Sequence, residues 1–237
     1  MSKITIKQYK PNEIFSKGST MTGGKNFYLI EAFYNSRYDS DGEFQKTSGA
    51  SSFKRNAGAV QLFDISTENP LTKPYSCISE PFPIKSLLSS YGHSERIAMR
   101  DILDEFITEN NKEVERPSYY VKSANQKDQQ LEILRELATS NANKYKQYLE
   151  NKNAVIKMWS ERKPCDYDPT GGGKKCVDFI KDIFPKNSEY GYIAEIPKNT
   201  TNISEINERV SYELKGAYSD EVHSLGLVSL FDQQLEI

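Results

Sequence analysis

Residues 93–110 carry the clearest periodic pattern in the chain. Apolar side chains recur there at intervals of three and four residues, at Met99, Ile102, Leu103, Phe106 and Ile107. An α-helix turns once in about 3.6 residues, so this spacing puts all five side chains on one helical face. The segment therefore predicts an amphipathic helix with one buried face.

Short apolar segments on both sides of this helix predict strands. The predicted strands cover residues 26–34, 58–65, 154–159, 190–196 and 226–231. Further helices are predicted over residues 127–151, 176–184 and 203–215. Strands and helices in this order indicate an α/β protein, with helices placed where crossovers between parallel strands require them.

The polar segments define the predicted domain organisation. Residues 1–25 are polar and contain three glycines, which predicts a flexible N-terminal arm before a single domain over 26–237. Residues 35–57 are rich in Ser, Gly and Lys and predict a long loop. Four prolines in 66–91 predict little regular structure there. Apolar residues make up 37% of the chain and charged residues 27%, a balance typical of a soluble globular protein with polar loops.

Charge and cysteine content exclude several classes of protein. The formal net charge of −2 gives no overall basic surface for polyanions. Three cysteines do not indicate a disulfide framework. No apolar run approaches the roughly 18 residues of a membrane span, and the first residues have no apolar signal core. We therefore expect no membrane partner, and a protein that is cytoplasmic or secreted without a cleavable signal peptide.

Three residues of metal-ligand type lie next to predicted junctions between strands and helices. His93 opens the strongest helix, Cys165 follows a predicted strand, and Cys176 opens a short helix after three glycines. Zinc prefers nitrogen and sulfur ligands, and a catalytic site uses three of them and keeps one position open. The positive end of a helix favours the thiolate that a metal requires. These residues predict a site for one Zn²⁺.

Glu95 is the candidate acid/base beside this site. It lies two residues after His93, and on an ideal helix the two side chains would point about 200° apart. Both can reach one metal only in the first turn, with the metal close to the helix end. This is a geometric condition that the fold has to meet.

The motifs resemble those of a known enzyme superfamily. His93-Ser94-Glu95, followed by Pro164-Cys165 and then Cys176, resembles the zinc deaminases of the cytidine deaminase superfamily. The stretch 159–165, WSERKPC, is similar to deaminase domains of bacterial polymorphic toxins and secreted effectors. The resemblance implies a cytidine deaminase-like fold, which is a central mixed five-stranded sheet sandwiched by helices. The long helix at 127–151 would be an insertion in it.

The resemblance also implies the roles of individual residues. His93, Cys165 and Cys176 would bind one Zn²⁺, and Glu95 would be the general acid/base. The implied reaction is hydrolytic deamination of a nucleobase, cytosine by default, in a nucleotide or single-stranded nucleic acid. The implied protein partner is an immunity or host protein. The candidate substrate-binding residues are Trp159, Ser160, Asn26 and Arg162, with a core position as the alternative for Trp159.

The chain departs from the usual motif in one respect. Ten residues separate Cys165 from Cys176, where two are usual in the motif. The longer loop can still close on a metal, because each doubling of loop length raises the free energy of closure by only about 0.6 kcal/mol. Two alternatives stay open. The same site could act on a free base, a modified nucleotide or a protein amide. Otherwise the protein is a non-catalytic, zinc-stapled interaction or effector protein, with Asp166, Asp168 or His223 as a fourth ligand.

Overall fold

The computed structural model describes residues 3–10, 28–29, 32–33, 36, 55–79, 93–110, 142–166, 175–195, 205 and 208–209. These residues form five strands and three helices. In chain order the elements are β1 (Thr5–Gln8), β2 (Ala57–Asp64), β3 (Tyr75–Ile78), α1 (Ser94–Asn110), α2 (Ala142–Asn151), β4 (Ala154–Arg162), α3 (Cys176–Ile183) and β5 (Glu189–Ala194).

The five strands form one mixed sheet in the order β1-β5-β4-β2-β3. Strand β5 runs parallel to both of its neighbours, β1 and β4. Strand β2 runs antiparallel to β4 and to β3. The prediction of an α/β protein with a mixed five-stranded sheet is confirmed, although two of the strands come from segments that the sequence did not indicate.

The main core lies between one face of the sheet and the three helices. Side chains alternate along β4, so Ile156 and Met158 point to the helices while Val155 and Trp159 point to the other face. Four residues of the apolar stripe of α1 pack on this first face and are fully or almost fully buried: Met99, Ile102, Leu103 and Phe106. The core cluster also takes in residues of α2, α3 and β5: Tyr145, Leu149, Phe179, Ile180, Ile183, Tyr190 and Tyr192.

The opposite face of the sheet is also covered. Trp159 lies there beside Gly191 of the neighbouring strand, and the ring of Tyr9 packs edge-on against the indole at 4.9 Å. The Ser76 hydroxyl, on the same face, donates a hydrogen bond to the carbonyl oxygen of Ala32 at 2.7 Å. Residue Ala32 belongs to a segment with helical residues, so helical structure contacts both faces.

The prediction of a strand over 26–34 is wrong for the residues described there. Tyr28, Leu29, Ala32 and Phe33 are helical. Leu29 and Phe33 are completely buried, while Tyr28 is largely exposed. Two buried residues four positions apart, with an exposed neighbour, fit a helix with one apolar face.

The prediction of a flexible N-terminal arm is wrong for residues 5–9. Strand β1 pairs with β5 along its whole length, and Tyr9 is buried beyond its end. The expectation of little regular structure over 66–91 is corrected in the same way, because β3 forms an edge of the sheet there. Residues 11–25 lie outside the described part of the chain.

The remaining predicted elements fall into two groups. The strands at 58–65, 154–159 and 190–196 and the helices at 93–110 and 176–184 are confirmed, with β4 extending to Arg162. The C-terminal part of the 127–151 helix is confirmed as α2, and the described residues of the 203–215 segment are helical. Residues 127–141 and 226–231 lie outside the described residues. No helix in the described ranges is long and apolar enough to cross a membrane.

Candidate metal centre

Helices α1 and α3 begin at the end of the sheet where β4 ends, so the first residues of both helices lie close to the segment that follows β4. The carbonyl oxygen of His93 accepts hydrogen bonds from the backbone N–H groups of Arg96 and Ile97, so His93 caps α1. The backbone N–H groups of Cys176 and Val177 bond to the sulfur and the carbonyl oxygen of Cys165, at 3.4 and 3.2 Å. These contacts hold the start of α3 against the segment that follows β4.

His93, Cys165 and Cys176 form a cluster that could hold a metal ion. Their ligand atoms all lie within 4.8 Å of one another. The Nδ1 atom of His93 lies 3.0 Å from Cys176 Sγ and 3.6 Å from Cys165 Sγ. Tetrahedral zinc with ordinary bond lengths separates a nitrogen and a sulfur ligand by about 3.5 Å. One imidazole and two sulfurs this close together could hold a metal ion.

The two thiols differ in their protonation. A hydrogen bond from Cys176 and a further one with His93 lower the pKa of Cys165 to about 5, against the opposing effect of burial. The same hydrogen bond to Cys165, together with complete burial, raises the pKa of Cys176 well above its usual value. These opposite shifts favour Cys165 over Cys176 as the thiolate of the pair.

The pKa of His93 is raised, whereas burial alone would lower the pKa of a histidine. Burial favours its neutral form, but the hydrogen bond with Cys165 and the charge of Glu95 outweigh this and raise the pKa. Because the pKa of His93 and the pKa of Cys176 are both raised, a metal ion that binds here competes with protons at these two ligands.

Glu95 reaches the same centre from the first turn of α1. Its Oε2 atom lies 3.5 Å from Cys176 Sγ and accepts a 3.3 Å hydrogen bond from the Ser94 hydroxyl. Its Oε1 atom accepts a 2.9 Å hydrogen bond from the hydroxyl of Tyr190. Because His93 precedes the helix instead of lying within it, both side chains face one point. The geometric condition set by their spacing is met.

A second buried charge lies beside the cluster. Arg96 is completely buried, and its Nη1 atom lies 3.7 Å from Cys176 Sγ. Its guanidinium also lies over the ring of Phe179, at 4.7 Å from the centroid. The positive charge of Arg96 lowers the pKa of the Cys176 thiol, in opposition to the effect of burial.

The predicted substrate-binding residues occupy different places. Ser160 is completely buried, and Arg162 is almost so. Trp159 is a core residue on the opposite face of the sheet from the metal cluster. Asn26 lies outside the described residues. Whether any of these four contacts a substrate remains a prediction.

Two polar residues of the site were not predicted. Asn56 donates from Nδ2 to the hydroxyls of Ser94 and Ser160, at 2.6 and 2.8 Å, and accepts at Oδ1 from the backbone N–H of Arg162. It joins the start of α1 to the end of β4. Tyr190, which bonds Glu95, was predicted only as the start of a strand. No spacing or motif in the sequence links either residue to His93.

Comparisons of the chain with models of protein families, with curated proteins and with solved structures found no match. The assignment of a function therefore depends on the geometry of the centre and on its motifs.

Proposed function

We propose that the protein is a zinc-dependent hydrolytic deaminase that acts on a nucleobase. The observation that carries this proposal is the buried carboxylate of Glu95 next to a cluster of one imidazole and two sulfurs. A structural zinc site needs no acid/base group at its edge. A hydrolytic site requires one to take a proton from water and return it to the leaving group.

The number of ligands supports a catalytic role for the metal. Among the described residues, the cluster contains three protein ligands, and Glu95 is not one of them. Three protein ligands leave one position for water or substrate. When bound, zinc would supply Lewis-acid activation of a water molecule, lowering the pKa of that water toward about 7. Of the fourth ligands considered, Asp166 is exposed, and Asp168 and His223 lie outside the described residues.

Glu95 is suited to hold and transfer a proton. Tyr190 fixes its Oε1 atom, which leaves Oε2 directed toward Cys176 and the metal cluster. The side chain is only 3% exposed, so bulk water does not compete for the proton while it is transferred. In this arrangement Oε2 would take one proton from the attacking water and pass it to the ring nitrogen. It would then carry a second proton, from the hydroxyl group of the adduct to the amino group that leaves as ammonia.

The proposed substrate follows from the resemblance of the motifs. The substrate class is a cytosine-like base in a nucleotide or in single-stranded nucleic acid, and the resemblance suggests a bacterial toxin or effector that meets an immunity or host protein. The net charge of −2 favours a small substrate over a long polyanion. A free base, a modified nucleotide or a protein amide are the alternatives for the same site.

The test combines metal analysis with an assay of ammonia release. Purified protein should contain one zinc per chain and release ammonia from at least one member of a panel of bases, nucleosides, nucleotides and oligonucleotides. The Glu95→Gln variant should keep its zinc and lose at least about 100-fold in kcat. Glu150→Gln, an exposed carboxylate on α2, is the matched control and should behave as wild type.

A second candidate is a non-catalytic interaction protein in which zinc only stabilises the fold, and the burial of Cys176 favours it. Cys176 is 1% exposed, as is typical of cysteines in structural zinc sites, and it begins α3 with its sulfur 3.7 Å from Nη1 of Arg96 in α1. In this case zinc removal would unfold the protein, and no member of the panel would release ammonia. Full activity in Glu95→Gln would rule out the mechanism proposed above.

A further inference from the structure

We propose that Tyr190 is a positioning residue for Glu95, an inference that rests on the proposed function. The Tyr190 hydroxyl contacts Oε1 of the carboxylate and no metal-ligand atom in the described contacts. It would therefore act through Glu95 and not on the substrate.

The ring of Tyr190 is held rigidly. It lies on β5, where it pairs with Met158 of β4, and it is completely buried in the core cluster. Glu95 comes from the first turn of α1, on a different part of the chain. A hydrogen bond between them fixes the helix start to the sheet at the acid/base itself. Such a contact reduces the number of positions that the carboxylate can adopt before the reaction.

The hydroxyl of Tyr190 has one hydrogen and faces two acceptors, Glu95 and the carbonyl oxygen of Arg162, besides a hydrogen bond with the Ser160 side chain. Its oxygen lies 2.9 Å from Glu95 Oε1 and 3.2 Å from the carbonyl oxygen of Arg162. A phenol can donate once and also accept, whereas a backbone carbonyl can only accept. The two contacts are satisfied together only if Glu95 itself carries a proton and donates it to Tyr190.

These two arrangements match the two forms of a proton shuttle. While Glu95 is a carboxylate, Tyr190 donates to Oε1. When Glu95 holds the proton, it donates to Tyr190, which turns its own hydrogen toward Arg162 O. Rotation about one C–O bond thus keeps the carboxyl group bonded in both forms without moving either side chain. A buried group with no such partner would lose a hydrogen bond in one of its two forms.

The strand provides a matched control for this contact. Tyr192 lies two residues further along β5, and its hydroxyl donates a 2.6 Å hydrogen bond to Glu195. Changing either tyrosine to phenylalanine removes one hydroxyl from the same strand and leaves the ring. Only Tyr190→Phe removes the contact with Glu95.

The experiment compares zinc-loaded wild type, Tyr190→Phe and Tyr192→Phe in three measurements: zinc content, steady-state kinetics of ammonia release, and crystal structures. We expect Tyr190→Phe to keep one zinc per chain and to lose about 10- to 100-fold in kcat, with KM within about twofold of wild type. Its crystal structure should show the Glu95 carboxylate displaced. Tyr192→Phe should match wild type in all three measurements.

Several outcomes would overturn the proposal. One is a kcat for Tyr190→Phe equal to that of Tyr192→Phe, and another is loss of zinc or of folding, which would assign Tyr190 a structural role only. If wild type releases no ammonia, the proposed function fails by itself and the crystal structures decide. An unmoved Glu95 in Tyr190→Phe then refutes the positioning role, and a displaced Glu95 supports it.

Discussion

Substituting Gly191 by alanine should severely destabilise the protein, because the indole of Trp159 lies directly on this glycine. A Cβ atom at residue 191 would lie 1.7 Å from Trp159 Cζ3 and 1.9 Å from Cε3. Ordinary contacts between carbon atoms are about 3.5–4.0 Å, so the ring would have to move by roughly 2 Å. The ring of Tyr9 packs edge-on against the indole, with the ring centroids 4.9 Å apart, and restricts its movement.

The expected magnitude follows from this overlap. Inserting a methyl group into a packed core costs about 1–3 kcal/mol, and an overlap that shifts a whole indole belongs at the upper end, about 3 kcal/mol. For a chain of 237 residues, each kcal/mol lowers Tm by about 2–4 °C, so the midpoint should fall by about 6–12 °C.

Equilibrium unfolding in urea tests this magnitude. The chain has a single tryptophan, Trp159, so its fluorescence reports the environment of the ring directly. Tyr192→Phe on the same strand serves as the control and should cost no more than about 1 kcal/mol. A Gly191→Ala protein within about 0.5 kcal/mol of wild type would show that Trp159 does not cover Gly191.

Two further predictions concern the site itself. Asn56→Ala should lower the free energy of unfolding by about 2 kcal/mol, because it leaves the buried hydroxyls of Ser94 and Ser160 without this partner. An unchanged midpoint of unfolding in urea would contradict the role of Asn56 as a bridge between α1 and β4. Zinc affinity, measured by competition with a chromophoric chelator, should rise with pH between about 6 and 8, by about tenfold per unit for each proton displaced. The sign follows because the hydrogen bond to Cys165 and burial raise the pKa of Cys176, so zinc must compete with its proton at neutral pH. An affinity independent of pH would show that neither Cys176 nor His93 holds a proton that the metal must displace, and would contradict this reasoning.

The sequence predicted the elements whose periodicity is local. The stripe of α1 and the apolar runs of β2, β4 and β5 each reveal their burial within the segment itself. An apolar run such as 26–34 does not distinguish a strand from a buried helix. The helical spacing of Leu29 and Phe33 becomes visible only once the structure shows that these two residues are buried. Strand β1 was missed because Thr5–Gln8 is short and mostly exposed at the sheet edge, and its partner lies far along the chain.

The candidate site divides in the same way. His93, Glu95, Cys165 and Cys176 were found because each belongs to a short motif. The residues that hold them in place were not found, since Tyr190 lies 95 positions from Glu95 and their contact depends on how α1 is placed on the sheet. Contacts of this kind are set by tertiary packing, so the local pattern of residues in the sequence does not predict them.

A crystal structure of the zinc-loaded protein tests the central claim most directly, through the identity of the four zinc ligands. The account predicts one zinc bound by His93, Cys165 and Cys176, with a water molecule as the fourth ligand and Oε2 of Glu95 within hydrogen-bonding distance of that water. A fourth ligand from the protein, or a metal bound elsewhere, would contradict it.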